Sequence, residues 1–163
     1  MKLLCAYALG ACLTASPAAA WTYSGGTDPM NDKAFAIAAQ ADADDKTMFG
    51  FKCWRGGGAM AMIVLSATPP AGAGSGPPIE VTLRVDRGQP VTLYFDPRDM
   101  GAYALVLQDE AADGAAHSLM DDVQHARQTI AVGFGGIVRT YPAEGAARAI
   151  RAASERCKGK SAP

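Results

Sequence analysis

The chain has 163 residues, a formal net charge of −1, 49% hydrophobic residues and 19% charged residues. So much apolar side chain with so little charge excludes a disordered chain. Near-neutrality excludes the broad basic field that nucleic acid binding needs, and the length suits one compact domain.

The first segment, "MKLLCAYALGACLTASPAAAW", sets Lys2 before an apolar run from Leu3 to Ala15 and closes on Ala18, Ala19 and Ala20. A positive start, a short apolar stretch and small residues in that order predict a secretory signal peptide over 1–20. The run is too short to span a bilayer, which takes about 20 residues, and no later segment is longer. A rival cut at "LGAC" would leave Cys12 as a lipid-anchored first residue, after a leader of unusual brevity. Residues 21–163 then form a single β-rich domain, periplasmic or secreted, with no membrane span.

Strands are expected from the start of that domain. "WTYS" (21–24) opens, "GGTDPMND" follows as a loop of turn formers, and "AFAIAAQA" (34–41) alternates Phe35, Ile37 and Ala39 with small residues. In "MFGFKCW" the period of two places Phe49, Phe51 and Cys53 on one face. "RGGG" (55–58) predicts a hairpin turn, and "AMAMIVLS" (59–66), apolar on both faces, a central strand. "ATPPAGAGSGPP" holds a Pro/Gly-rich loop over 67–78. "IEVTLRVD" (79–86) turns Ile79, Val81, Leu83 and Val85 inward, "PVTLYFD" (90–96) and "GAYALVLQD" (101–109) follow, and Pro97 predicts a strand-ending turn. "AAHSLMDDVQHAR" (115–127) predicts a helix, "TIAVGF" and "GIVRTY" a late strand pair, and "AEGAARAIRAASERC" a final helix before the tail 158–163. That helix groups Ala146, Ile150, Ala153 and Cys157 on one stripe, with Arg148, Arg151 and Glu155 opposite. Six basic residues from Arg139 to Lys160 against Glu144 and Glu155 read as a solvated face and tail. The predicted class is mostly β with α (α+β): an antiparallel β-sandwich or curled sheet with a late helix and a C-terminal helix packed on it.

Cleavage of the leader removes Cys5 and Cys12 and leaves Cys53 and Cys157. Neither has a neighbouring cysteine or histidine at metal-ligand spacing, and His117 and His125, the bases that a reactive Cys/His couple would use, sit far along the chain from Cys53, so nothing in the sequence supports such a couple. Both lie on the apolar faces of their elements, and two cysteines in an oxidising compartment pair, so a Cys53–Cys157 disulfide is expected. A loop of about 100 residues closed this way contributes about 4.7 kcal/mol in the chain-entropy description.

Trp21 at the mature start, "DPMND" (28–32), the strand-borne cysteine of "FKCW", "VTLRVDRGQP" and the run from Tyr141 to Cys157 together make a familiar layout. The chain resembles the small periplasmic VasI-like proteins associated with type VI secretion clusters and related exported bacterial β domains. It departs from them in the long "AGAGSGPP" loop. The resemblance covers most of the mature chain through spacing and a few residues. It implies an exported β domain with a cysteine pair and an accessory role in the cell envelope.

Catalytic signals are sparse. Asp42, Asp44 and Asp45 resemble the start of a calcium loop, but Lys46, Thr47 and Cys53 stand where an oxygen ligand, glycine and glutamate are needed, so a polar hairpin connection is expected. His117, Asp121 and His125 at i, i+4 and i+8 share one side of a helix and suit a divalent metal, while Leu119, Val123 and Ala126 make the opposite, apolar stripe. A wet helix face explains the trio more simply. "GAGSG" lacks the nucleophile-elbow spacing, and "GFGG" lacks the lysine of a phosphate loop. Asp96 and Asp99 read as solvated turn residues; Trp21 and Tyr23 with Asp28 and Asp32 would suit a partner patch, although core packing is the stronger expectation for Trp21. The expected function is a noncatalytic periplasmic accessory or binding module with a protein or cell-envelope partner and no cofactor. The alternatives are a periplasmic hydrolase or metal-dependent enzyme built on His117, Asp121 and His125, and an inhibitor of a cell-wall lytic enzyme.

Overall fold

The computed structural model describes residues 20–29, 32–44, 46–56, 58–65, 74, 76–109 and 114–158. Nearly all of the expected leader, including Cys12, most of the expected 67–78 loop and all but the first residue of the expected tail lie outside the described residues. The elements run β1 (Thr22–Thr27), β2 (Ala34–Ala41), β3 (Thr47–Trp54), β4 (Ala59–Leu65), β5 (Ile79–Val85), β6 (Val91–Asp99), β7 (Tyr103–Asp109), α1 (Ala115–Gln124), β8 (Thr129–Phe134), β9 (Ile137–Pro142) and α2 (Ala146–Cys157).

The strands form one nine-stranded antiparallel sheet in the order β1-β2-β3-β4-β7-β6-β5-β8-β9. Strand β6 is its hinge. Residues 91–95 pair with β5, and residues 96–99 pair with β7. Pro97 does not end the strand, as its sequence context suggests; the strand runs on to Asp99. β5 leaves the ladder opposite Phe95, so Pro97 has a strand neighbour on one side only, an edge-like position that tolerates a missing N–H.

The sheet curls so that its two ends approach each other. The Trp21 indole Nε1–H donates to the Pro142 carbonyl at 2.9 Å, and the hydroxyls of Thr47 on β3 and Tyr141 on β9 lie 2.7 Å apart. No ladder joins β1 to β9 among the described residues, so the curl stays open. Phe49, Phe51, Val81, Leu83, Phe95, Leu105, Ile130, Val132 and Tyr141 fill the concave side, and both helices pack there. Trp21 stacks on Phe51 and meets Phe49 edge-on, which makes it a core residue, while Tyr23 is exposed. Central strand β4 is apolar on both faces for a physical reason. Ala61 and Ile63 join the main core, and Met60 and Met62 join Ala104 and Val106 in a second cluster on the other face.

The glycine pair Gly25–Gly26, expected in a loop, lies inside β1 opposite Ala36 and Phe35. A Cβ on Gly25 would come within 2.8 Å of Arg156 Cδ, so the bare backbone there makes room for an α2 side chain. Arg156 uses that room to donate from Nη2 to the Gly26 carbonyl at 3.4 Å. Helix α2 buries Ala146, Ala149, Ile150, Ala153 and Cys157, the stripe its sequence period predicts with Ala149 added. At its end the sulfurs of Cys157 and Cys53 come to bonding distance, with Cα atoms 6.0 Å apart across 104 residues of sequence.

Candidate site: two grooves beside helix α1

Helix α1 is short, and its N-cap residue Gly114 has no side chain to cap it. Asp109, at the end of β7, does that work. Its carboxylate accepts the N–H groups of Ala116 and His117, two of the donors that a helix start leaves unpaired, and it adds a negative charge to the positive end of the dipole. A Cβ on Gly114 would collide with this carboxylate, so the glycine makes room for the distant cap.

The helix ends at Gln124, short of the expected boundary, because His125 is its C-cap. The His125 ring Nδ1 lies 2.7 Å from the Asp121 carbonyl; a carbonyl only accepts, so Nδ1 carries the proton. Just beyond, Asp86 gathers the strand that follows. Its carboxylate accepts N–H bonds from Arg127, Gln128 and Thr129 at 2.9, 2.7 and 2.9 Å, which hold its pKa below the ordinary carboxylate value. Two carboxylates on strand ends therefore fix the segments flanking α1.

A groove opens on each side of this fixed helix. The first, about 640 Å³, lies between α1 and the β5–β6 hairpin, with Leu83, Val85, Val91, Leu93 and Leu119 as its apolar wall and Gln89, Ser118, Asp122 and His125 as its polar lining. The second, about 760 Å³, lies between α1, α2 and the β3–β4 hairpin. Cys53 and Cys157 line it, together with Trp54, Arg55, His117, Asp121, Arg151, Glu155 and Lys158, so charges of both signs surround the sulfur pair.

The trio expected on one helix side is divided by this geometry. His117 and Asp121 border the sulfur-lined groove, whereas His125 lies past the helix end and borders the apolar groove. His117 Nδ1 is 3.8 Å from Asp109 Oδ2 and has no hydrogen-bond partner among the described residues. Among the described residues no cluster of three or more His, Cys, Asp or Glu side chains is arranged to hold a metal ion. Of the other candidates, Asp96 lies 3.6 Å from Arg98 on exposed strand, and Asp99 accepts the Gly101 N–H at 2.9 Å. Gly135 and Gly136, with φ of 52° and 78°, make the two-residue hairpin turn of β8 and β9.

The aspartate cluster hides a buried network that residue type alone does not reveal. Asp42 is 5% exposed and accepts the N–H groups of Lys46 at 2.8 Å and Thr47 at 3.2 Å, and the Thr47 hydroxyl at 3.0 Å. Arg139 Nε on β9 lies 3.4 Å from its carboxylate. Burial, the largest single influence, pushes its pKa up, but these donors and the Arg139 charge outweigh it and leave the pKa below the ordinary value. Burial raises the pKa of Tyr141, against the lowering effect of its Thr47 hydrogen bond.

No protein-family model, curated protein or solved structure matches the chain. Among the described residues no helix is long and apolar enough to cross a membrane.

Proposed function

We propose that the mature chain is an exported, noncatalytic binding module that takes a protein partner along α1, in an accessory role at the bacterial cell envelope. One observation carries this reading. Helix α1 is anchored at its start by Asp109, its following segment is anchored by Asp86, and a groove lies open on each side. A helix held in this way meets a partner with little ordering cost, because its backbone is fixed before contact. The leader expected over 1–20 and the likeness to VasI-like proteins support the compartment and the accessory role in this reading. The mixed charge of the sulfur-lined groove favours a protein surface over a polyanion, which would meet Asp121 and Glu155 as well as Arg55, Arg151 and Lys158.

The test places a photo-cross-linking residue at exposed Ser118 on α1, and in a second variant at exposed Glu80 on β5, in cells that export the full chain. A discrete protein adduct from Ser118 and none from Glu80 is the expected result. Adducts from neither position, or turnover of wall fragments by the purified mature protein, would overturn the reading. Inhibition of lysozyme by the same protein would identify the partner as a wall-degrading enzyme.

A further inference from the structure

From the chemistry of the first groove we infer that it binds a peptide segment in which an aliphatic side chain stands next to a lysine or arginine. This rests on the binding-module reading and assigns the partner's chemistry. The apolar wall of Leu83, Val85, Val91, Leu93 and Leu119 offers an aliphatic group an exit from water. Val91 is 47% exposed, so part of that wall is uncovered surface.

The lining selects the neighbour of that aliphatic group. Among the described residues, Asp122 is the one carboxylate that borders the groove, and no lysine or arginine borders it. With its Nδ1–H donated to the Asp121 carbonyl, the His125 ring in its uncharged form keeps Nε2 as an acceptor. A carboxylate and an imidazole acceptor receive an ammonium or guanidinium and repel an acidic neighbour. Gln89 and Ser118 add an amide and a hydroxyl that both donate and accept, which suits the N–H and C=O groups of a peptide backbone. A lipid chain offers no such groups along its length, so a peptide matches this lining better than an acyl chain does.

The experiment measures fluorescence anisotropy of a dye-labelled hexapeptide of alternating lysine and leucine against the purified mature protein. Replacing its leucines by alanine should weaken binding roughly tenfold or more, the scale of losing a buried aliphatic side chain. Replacing its lysines by glutamate should abolish binding. On the protein, Asp122→Asn should weaken the lysine–leucine peptide roughly threefold to fivefold, as for an exposed ion pair, and that loss should shrink as salt rises. Val91→Asp changes an exposed residue and should remove binding while circular dichroism stays that of the parent. Equal binding of the lysine and glutamate peptides, or binding unaffected by both protein substitutions, would overturn the inference. Binding to phosphatidylcholine vesicles but not to peptide, lost in Val91→Asp, would overturn it in favour of lipid. A Ser118 adduct in cells with no peptide binding here would leave the binding-module reading standing and remove only this assignment.

Discussion

At the scale of single residues, two aspartates do work that their neighbours in sequence do not announce. Asp42 reads as part of a polar turn, yet it is buried and ties the β2–β3 turn to β9 through Thr47, Tyr141 and Arg139. Its folded pKa is depressed, so its contribution to stability is fully present above the unfolded value near 3.8 and is lost as pH falls through the lower, folded value. Asp42→Asn removes that titration. Urea midpoints measured from pH 7 down to about 3 should therefore fall more steeply for the parent than for Asp42→Asn, even though the variant starts lower. Parallel profiles would show that Asp42 contributes no net pH dependence. Asp109 makes a different prediction, because its partners are backbone donors at a helix start. Asp109→Ala should cost about 0.5–2 kcal/mol in urea unfolding, and Asp109→Asn, which keeps an acceptor, should cost less than Asp109→Ala. A loss equal in both would place the effect in the charge rather than in the cap.

At the scale of elements, the strands most legible in the sequence are those with a plain alternation. β5 shows its inward set Ile79, Val81, Leu83 and Val85 without ambiguity, and the stripe of α2 predicts its buried face. The features that escape share one physical cause: the deciding partner is far away in sequence. Pro97 continues β6 because β5 has left its side of the ladder. Gly25 and Gly26 belong to β1 because Arg156 and the Phe35 ring fill the space where their side chains would be. The end of α1 falls before His125, so the regular spacing of His117, Asp121 and His125 does not become a shared face. The contact between β1 and α2 is testable as a pair. Gly25→Ala should destabilise the parent by about 1–3 kcal/mol through overpacking against Arg156. In an Arg156→Ala background, where that side chain is gone, the same substitution should cost markedly less. Strictly additive losses in the double-mutant cycle would show that the two residues do not share this space.

At the scale of the whole molecule, the open curl raises the question of what holds its two ends in place. Trp21 and Tyr141 bind them from inside, through the Pro142 carbonyl and the Thr47 hydroxyl, and α2 lies over β1, β2 and β3 with an alanine-rich stripe. Alanines bury little area each, so this helix gains less from packing than a leucine-rich one would. The sulfur pair joins its last residue to β3 across 104 residues, a separation over which a covalent link strongly restricts the unfolded chain. Mass spectrometry of the native protein, isolated without reductant, should therefore find Cys53 linked to Cys157; two free thiols would remove the link from this account. Replacing both cysteines by serine should lower stability by about 2–5 kcal/mol. The pattern of the loss is the sharper test. Hydrogen exchange under native conditions should show Ala153 to Cys157 losing protection first, because that last turn is the one the link holds down, while the β5–β8 ladder keeps its protection. If every element lost protection together, the link would be acting on the unfolded state alone and α2 would hold its place through packing without it.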